Sequence, residues 1–399
     1  MKRRQFIQRT GACAAALALP GCSREPPAER YNQADRDLLQ QQRREERLAT
    51  GKGRFGSQVY RGYNGLAELP WFDVDGRGQL RCVAERVPET IDMHCHLGIA
   101  VLFSPEIDLQ GSPGRTRHLL ECDEGCRLDL DVYANSNFTE SGLRTLRNST
   151  LAQGLWGSAL AKTQTIPNLL AEMDAMRVQQ SHILPIKMGL PFSDQLTETW
   201  RAAILESGSG DRLIPGQSVH PRGSVRLEQL RAHATDGARL VKLHPTVQAF
   251  YPDDPDMMAL YEEAQDLGLI IFFHGGRAGI EPGSRQRYAM PRHYEAVLSN
   301  FPRLQVILGH GGARDMGAML ELASRYDNAW LGIHGQGLSA LDRMIEKSGG
   351  ERLLFGSDWP FYHIGMSLAK VLLCTDTPGR QSVRRAILRD NALQLLAGA

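Results

Sequence analysis

The sequence Ile91-Asp92-Met93-His94-Cys95-His96 is a short apolar run that ends in two histidines one residue apart. Alternate side chains of a β-strand point to the same face, so His94 and His96 project together beyond the end of the strand. This arrangement can chelate a divalent metal ion, which takes about four ligands, with one position left open in a catalytic site. The remaining ligands must therefore come from elsewhere in the chain.

Short β-branched runs alternate with segments of helical period from this point to the C-terminus. The strand-like runs are Thr90–Met93, Ser181–Ile186, Leu213–Val219, Arg239–Leu243, Leu269–Phe273, Leu304–Leu308, Ala329–Ile333 and Arg352–Phe355. The helical segments are Pro167–Gln179, Asp194–Glu206, Val225–Ala234, Pro255–Asp266, Pro291–Asn300, Ala313–Tyr326, Leu338–Lys347 and parts of Met366–Leu396. Eight such units predict an α/β fold, a parallel (β/α)8 TIM barrel, with a doubly wound open sheet as the alternative.

One interval breaks this rhythm, because about seventy residues separate the first strand from the first helix. Structureless loops of this length are uncommon in compact domains unless they are functional. The segment leaves the C-terminal end of a strand, where barrel enzymes keep their active sites. We therefore predict that 97–165 is a cap insertion over the pocket, with a surface subdomain or an oligomer contact as the alternative.

Reactive polar residues follow five of the apolar runs, as a barrel enzyme requires. They are His94 and His96, Lys242 and His244, His274-Gly275-Gly276, His310-Gly311-Gly312, and Gly356-Ser357-Asp358-Trp359-Pro360. A single histidine after an apolar run is often a core residue, but five such endings favour a shared site.

The histidine pair, the two His-Gly-Gly endings and Gly356-Ser357-Asp358-Trp359-Pro360 together resemble the metal-dependent amidohydrolase superfamily, in particular its amidohydrolase-2 branch of hydrolases and decarboxylases. The resemblance implies that His94, His96, His274 and Asp358 bind one divalent metal. It also implies that His310 lies beside the reacting group of the substrate. Zinc is the first expectation for the metal, and manganese, iron and cobalt also suit these ligands.

Three neutral imidazoles and one carboxylate would leave a metal site electrophilic enough to activate water and to polarise a carbonyl group. Asp358 can then accept the proton of the water, and His310 can polarise the substrate or relay a proton. These two residues are the predicted catalytic pair.

Three further residues are candidates for holding an anionic substrate: Lys242, His244 and Arg277. Lys242 and His244 share a strand face. In binuclear members of the superfamily a strand-four lysine bridges two metals, so a second metal at Lys242 is an alternative. Arg277 can reach a substrate carboxylate, or it can lie at the surface. His334 and Trp359 are candidates for the lining of the pocket.

The composition is that of an ordinary soluble protein, with 399 residues, 42% hydrophobic and 23% charged, a net charge of +1 and a pI of about 7.7. This near-neutral balance does not indicate nucleic acid or another polyanion as a partner. The resemblance to the amidohydrolase superfamily implies a small-molecule substrate, and the oligomeric state is left open.

The first 22 residues have the pattern of an export signal. The basic segment Lys2-Arg3-Arg4-Gln5-Phe6 precedes a small apolar run that is too short to span a bilayer. The paired arginines resemble a twin-arginine signal, and Leu19-Pro20-Gly21-Cys22 resembles a lipobox with Cys22 as the lipidated residue. We therefore predict a bacterial lipoprotein of the periplasm or cell envelope, anchored to a membrane at Cys22, with an ordinary signal peptide as the alternative.

The other cysteines are Cys82, Cys95, Cys122, Cys126 and Cys374. An odd number argues against a full disulfide framework. Cys122 and Cys126 are close enough to form a disulfide in an oxidising compartment, and half of a small metal site or two free thiols are the alternatives.

The predicted domains are a signal at 1–22, a polar tether with short strands and turns at 23–87, and the barrel with its cap insertion at 88–399. The leading functional prediction is a hydrolase that uses a metal-activated water on an amide, lactone or other ester. The first alternative is a metal-dependent nonoxidative decarboxylase of a carboxylic acid, aromatic acids included. The second is a noncatalytic lipoprotein that binds a ligand or a metal.

Overall fold

The computed structural model describes residues 30–122, 125–134 and 139–398. The chain divides into two compact units, Met1–Gln40 and Gln41–Ala399. The predicted signal and the lipobox cysteine Cys22 lie outside the described residues, so the export signal and the predicted domain boundaries stay predictions. Among the helices of the described part, none is both long and apolar enough to cross a bilayer.

Twelve strands form in the described residues, and eight of them build the barrel. The strands outside the barrel are β1 (Val59–Arg61), β2 (Phe72–Val74), β3 (Leu80–Cys82) and β5 (Arg127–Asp129). The barrel strands are β4 (Thr90–Cys95), β6 (Val178–Ile183), β7 (Leu213–Pro215), β8 (Leu240–Leu243), β9 (Ile270–Phe273), β10 (Gln305–Leu308), β11 (Ala329–Gly332) and β12 (Leu353–Leu354).

The barrel strands form two parallel arcs, β4-β6-β7 and β8-β9-β10-β11-β12. Backbone hydrogen bonds join the arcs at both seams. At one seam Gln217 N–H donates to Leu240 O at 2.8 Å and Lys242 N–H donates to Gln217 O at 2.7 Å. At the other seam Met93 N–H donates to Phe355 O at 3.0 Å, and Cys95 forms a parallel bridge with Trp359. The fold is therefore the predicted (β/α)8 barrel.

Thirteen α-helices form in the described residues. They are α1 (Gln33–Ala49), α2 (Glu140–Trp156), α3 (Ile166–Ala175), α4 (Leu196–Glu206), α5 (Arg226–Thr235), α6 (Pro245–Gln248), α7 (Pro255–Asp266), α8 (Glu295–Asn300), α9 (Met316–Arg325), α10 (Leu338–Ser348), α11 (Ile364–Thr375), α12 (Gln381–Arg385) and α13 (Asn391–Ala397). Short 3₁₀ turns cover Asn64–Glu68, Ala161–Thr163, Gln286–Ala289, Pro291–His293 and Gly309–Gly312, and one π turn covers Ala386–Asp390.

All eight strand-like runs of the sequence form barrel strands, although β7 and β12 are shorter than their apolar runs. The helix predicted over Pro291–Asn300 divides into a 3₁₀ turn and α8, because Pro291 starts a tight turn. The interior of the barrel is apolar and buried, with side chains such as Met93, Phe272 and Leu354 forming one cluster. Each such side chain stabilises the fold by roughly 1.5–3 kcal/mol.

The segment between β4 and α3 contains β5 and α2, and β5 pairs with β1 in antiparallel fashion. Cys122 and Cys126 form a disulfide within it, while the other cysteines of the described residues, Cys82, Cys95 and Cys374, are free. Leu119 and Leu120 N–H groups donate to Pro360 O and Phe361 O, beyond the end of β12. The insertion is thus bonded to the same end of the barrel that carries Asp358.

Candidate metal centre

The end of β4 carries two inward-facing histidines. The pairing of β4 with β6 shifts register between Asp92 and Cys95, and the Asp92 carboxylate accepts the N–H of His94 at 3.0 Å. The Nε2 atoms of His94 and His96 lie 3.1 Å apart. Cys95, between them, packs in the outer core, as expected from strand alternation.

Hydrogen bonds on the far side of each ring set the tautomers of these two histidines. Nδ1 of His96 lies 2.6 Å from the carbonyl oxygen of Leu184, so it must donate its proton there. Nδ1 of His94 lies 2.5 Å from Nε2 of His334, and that Nε2 also accepts the N–H of His310 at 2.9 Å. Because an atom that accepts a backbone N–H carries no proton, His94 Nδ1 is the donor in its pair. Both Nε2 atoms therefore present lone pairs, the form that binds a metal.

Asp358 supplies a third donor atom to the same point. Its Oδ1 lies 3.7 Å from His94 Nε2 and 3.5 Å from His96 Nε2. Donor atoms around a tetrahedral ion with bonds of about 2.0–2.1 Å lie about 3.3 Å apart. Asp358 has a φ of 57°, a strained value of the kind that collects at functional sites. These three atoms fit one divalent ion.

The electrostatic setting also suits a cation. Burial, followed by the nearby Lys242 and His334, holds the pKa of His94 well below its usual value. Burial likewise lowers the pKa of His274, His310 and His334. The imidazoles are therefore neutral, as metal ligands must be.

A second group of converging atoms, from His94, His310 and His334, does not have the spacing of a metal site. The 2.5 Å between His94 Nδ1 and His334 Nε2 leaves no room for an ion with bonds of about 2 Å. This contact is a hydrogen bond that orients His94, so the ion site lies on the other side of the ring.

His274, the remaining predicted ligand, lies beside these three residues. Its ring stacks on His244 with a centroid distance of 4.0 Å and meets the edge of His310 at 4.4 Å. Its ring nitrogens are not among the donor atoms that converge with His94, His96 and Asp358. The structure thus brings three of the four predicted ligands together, and the ligand role of His274 stays a prediction.

The family profile for amidohydrolases matches residues 91–397, which is most of the chain. The protein belongs to the amidohydrolase family. This confirms the resemblance to the amidohydrolase-2 branch that the motifs indicate. No curated protein matches the chain.

Solved structures similar to this amidohydrolase include three bacterial proteins. An uncharacterised TIM-barrel protein of Bordetella bronchiseptica is 22% identical, with a TM-score of 0.52, covering 60% of this chain and 84% of that one. The 5-carboxyvanillate decarboxylase of Sphingomonas paucimobilis is 15% identical, with a TM-score of 0.51, covering 77% and 99%. The 5-carboxyvanillate decarboxylase of Novosphingobium aromaticivorans, solved with bound manganese and a nitrobenzoic acid, is 14% identical, with a TM-score of 0.50. The match covers 78% of this chain and 98% of that one. At these identities the likeness shows the fold alone.

Lys242, on β8, lies beside the three converging residues. Its Nζ is 3.0 Å from His94 Nε2 and 4.7 Å from the centre of the Phe272 ring. Burial lowers the pKa of Lys242 to about 7, opposed by Asp358. Lys242 is thus placed to meet a ligand held at the metal centre, whereas His244 lies behind His274 and its Nδ1 is 3.2 Å from Thr246 Oγ1. Their substrate-binding roles and the second metal stay predictions.

Arg277 does not lie at the surface, which was the alternative to a substrate contact. Its side chain is fully buried, and its Nε and Nη2 bind both carboxylate oxygens of Asp315 at 2.8 and 2.5 Å. Its backbone N–H donates to the same carboxylate at 3.0 Å. This paired geometry holds the loop after β9 against the start of α9, and the substrate-binding role of Arg277 stays a prediction.

His310 lies at the end of β10 in a left-handed conformation with φ 54°. Its carbonyl oxygen accepts Gln336 Nε2 at 2.5 Å, and its Nδ1 lies 3.2 Å from the hydroxyl of Tyr133. Gly276 and Gly312 allow the two His-Gly-Gly loops to touch, because a Cβ on Gly276 would lie 1.8 Å from Gly312 O. The backbones therefore bring His274 and His310 together.

Three residues of the site have roles that the sequence interpretation missed. His334 was expected only to line the pocket, but it fixes the tautomer of His94. Asp92 shapes the end of β4, and Tyr133 reaches His310 from the insertion. The position of His334 directly beyond β11 follows the same strand-end pattern as the other histidines, so that signal was present in the sequence.

Proposed function

We propose that this amidohydrolase is a metal-dependent nonoxidative decarboxylase of a small carboxylic acid, with hydroxylated aromatic acids as the first class to assay. The sequence placed hydrolysis first. Decarboxylation moves ahead because two of the similar structures named above are 5-carboxyvanillate decarboxylases whose whole lengths are covered. One of them was solved with manganese, so manganese joins zinc as a metal to be tested.

The observation that carries the metal dependence of the proposed reaction is the convergence of three donor atoms, from His94, His96 and Asp358, beside the buried pair His310 and Lys242. These three residues would hold the metal, and His274 is the predicted fourth ligand. A divalent ion bound there supplies Lewis acidity toward a carboxylate and an adjacent oxygen.

The residues around the metal centre supply the rest of the chemistry. In decarboxylation the bond between the carboxyl carbon and the substrate breaks, its electron pair stays on the substrate carbon, and a proton is added to that carbon. Carbon dioxide leaves, and His310 and Asp358 are the groups that can relay the proton from solvent to the substrate carbon. Lys242 provides a buried positive charge for the carboxylate when it is protonated, and burial keeps water from competing.

Hydrolysis of an amide, lactone or other ester is the second candidate. It is favoured by the position of Asp358, whose Oδ1 lies within 3.7 Å of the Nε2 atoms of His94 and His96. From there Asp358 can accept a proton from water at the same site. The ligand set alone serves either reaction, so the product distinguishes them.

The deciding experiment combines metal analysis with isotopic products. Purified protein is loaded with zinc or manganese and incubated in ¹⁸O-water with carboxyl-¹³C aromatic acids, and separately with lactones and amides. We expect about one metal per chain and release of ¹³CO₂ without ¹⁸O in the remaining product. His94→Ala and Asp358→Asn should abolish both metal binding and turnover, whereas His233→Gln, on α5 outside the site, should leave both unchanged.

Incorporation of ¹⁸O into a product acid without release of CO₂ would replace the proposal by the hydrolase. Stoichiometric metal without turnover of any class would favour the noncatalytic binding lipoprotein. Absence of metal after loading, or full metal content in both site variants, would contradict the metal centre itself.

We also propose that the protein is exported and anchored to a membrane through lipid on Cys22. The basic start, the apolar run and the lipobox pattern support this proposal. The disulfide between Cys122 and Cys126 supports it independently, because disulfides are rare in cytosolic proteins and common in exported ones.

A further inference from the structure

Tyr133 reaches the catalytic end of the barrel from the insertion between β4 and α3. Its side chain is 5% exposed, and its hydroxyl oxygen lies 3.2 Å from Nδ1 of His310. His310 is the predicted proton-carrying residue, and its ring lies against those of His274 and His94. A residue of the insertion therefore contacts the side chain on which the proposed reaction depends.

The backbone around Tyr133 is held on both sides. Its N–H donates to Glu46 Oε1 at 2.7 Å, and the next N–H, of Ala134, donates to Gly335 O at 2.6 Å. Arg314 pairs with Glu46 at 2.5 Å and places its guanidinium 5.5 Å from the centre of the Tyr133 ring. These bonds position the hydroxyl without help from a ligand.

The ring of Tyr133 also packs against the backbone beyond β11. Gly335 has a φ of 82°, and a Cβ at this position would lie 3.1 Å from Tyr133 Cε2 and 3.3 Å from the Tyr362 hydroxyl. A side chain there would require the Tyr133 ring to shift by a few tenths of an ångström. The close approach of backbone and ring is thus part of the same arrangement.

The direction of the hydrogen bond follows from the chemistry of its two partners. A phenol hydroxyl can donate its proton, and a neutral imidazole has one ring nitrogen with a free lone pair. Burial, reinforced by Asp358, raises the pKa of Tyr133 well above its usual value, so the phenol keeps its proton. A buried hydroxyl needs an acceptor, and Nδ1 of His310 lies within hydrogen-bond distance of it.

We propose that Tyr133 is a positioning residue that donates its hydroxyl proton to His310 Nδ1 and so fixes His310 in the tautomer with the proton on Nε2. The inference rests on the proposed function for its catalytic consequence. In this tautomer His310 offers an N–H to the substrate from its other ring nitrogen, as a polarising or proton-relaying group requires. The insertion therefore contributes a residue to the site.

The direct test is the ring ¹⁵N spectrum of His310 in protein labelled at histidine, recorded on the metal-free and metal-loaded forms. The signals are assigned by their loss in His310→Gln. We expect a bare Nδ1 and a protonated Nε2 in the wild type, and a mixture of tautomers in Tyr133→Phe. Tyr261→Phe is the matched control, because Tyr261 is also buried and its hydroxyl donates to a backbone oxygen, that of Pro252, at 3.0 Å. It should leave the His310 signals unchanged.

The kinetic test measures turnover of the acid that the wild type decarboxylates. Tyr133→Phe should lower kcat roughly 10- to 100-fold, as expected when a catalytic group loses its orientation. Its KM, metal content and melting temperature should stay close to those of the wild type, since only one hydroxyl is removed. A purely structural role would instead lower the melting temperature and the metal content together.

The two measurements separate this inference from the proposed function. A wild-type His310 protonated at Nδ1, or an unchanged spectrum in Tyr133→Phe, would overturn the inference even in an active decarboxylase. Unchanged kcat in Tyr133→Phe would overturn its catalytic part. A tautomer change in a protein that releases no CO₂ would support the assignment of Tyr133 while contradicting the decarboxylase.

Discussion

The hydroxyl of Ser357 lies 2.5 Å from Oδ2 of Asp92, and the backbone N–H of Ser357 donates to Oδ1 of the same carboxylate at 2.9 Å. Oδ1 also accepts the N–H of His94 at 3.0 Å. The carboxylate of Asp92 therefore joins Ser357, the neighbour of the predicted ligand Asp358, to His94, another predicted ligand. Burial raises the pKa of Asp92 to about 7, although the hydrogen bonds from Ser357 and His94 act to lower it.

Replacing Asp92 by Ala should disorganise the metal centre without removing a ligand. Losing a residue that orients metal ligands typically costs 10- to 100-fold in metal affinity, and we expect about this loss. Ser357→Ala should cost less, because the backbone N–H of residue 357 remains. Zinc affinity measured in competition with a chelator tests both variants, and equal affinities in Asp92→Ala and the wild type would contradict this role.

His334 should control metal affinity although it is not among the predicted ligands. Its Nε2 accepts from both His94 Nδ1 and the N–H of His310, at 2.5 and 2.9 Å. In His334→Phe the Nδ1 proton of His94 loses its acceptor, so zinc binding should weaken roughly 10- to 100-fold. His182→Phe is the control, since His182 is a buried histidine whose ring nitrogens have no hydrogen-bond partner in the described part of the chain. The same loss of affinity in both variants would show a general packing effect.

The positions of His94, His96, His310 and Asp358 could be predicted because each follows an apolar run of a barrel strand. The ends of parallel strands meet at one face, so sequence order is enough to gather these residues. Cys95 could be assigned to the opposite side for the same reason. The fold and the outline of the site therefore follow from local patterns.

The pairings that depend on distant partners could not be predicted in this way. Arg277 binds Asp315, which lies 38 residues further along the chain, and nothing in the spacing indicates this pair. The ring of His274 stacks on that of His244, and the sequence does not indicate this contact because the two residues follow different strands. Tyr133 belongs to the insertion and not to the end of a barrel strand, so the strand-end pattern gives no signal for its contact with His310.

The cysteines give a prediction that chemical titration can check. A form that starts at Ser23 and is folded in an oxidising compartment should show three thiols when denatured without reductant, from Cys82, Cys95 and Cys374. After reduction it should show five, because Cys122 and Cys126 are released. Five thiols before reduction would mean that this pair is not oxidised in the exported protein.

Lipid anchoring predicts a specific effect of Cys22. The full-length chain produced in a bacterial host should sediment with membranes and incorporate labelled fatty acid, and Cys22→Ser should do neither. Cys13→Ser is the matched control, because Cys13 lies within the apolar run of the predicted signal and should not be lipidated. If Cys22→Ser remains bound to membranes as strongly as the wild type, the anchor must be elsewhere.

The buried carboxylate of Glu172 should make the stability of the folded protein depend on pH. This buried carboxylate on α3 accepts His118 Nε2 at 3.1 Å, Trp359 Nε1 at 3.2 Å and the N–H of Ile364 at 2.7 Å. Burial acts to raise its pKa, but His363, His118 and these hydrogen bonds together lower it from 4.5 to about 2. The cluster joins the insertion, through His118, to the residue that follows Asp358.

A carboxylate whose pKa is lower in the folded state stabilises the protein above its unfolded pKa and loses this contribution as the pH falls through its folded pKa. The lowered pKa of Glu172 corresponds to roughly 3 kcal/mol of the free energy of unfolding, and this contribution should be lost between about pH 4.5 and pH 2. Urea unfolding with excess chelator, which removes any metal contribution, should therefore show a steeper decline over this range in the wild type than in Glu172→Gln. Glu295→Gln should change the decline little, because the side chain of Glu295 is 41% exposed and its pairing with Arg325 is screened by solvent. Parallel declines in the wild type and Glu172→Gln would show that Glu172 is not the carboxylate that links folding to pH.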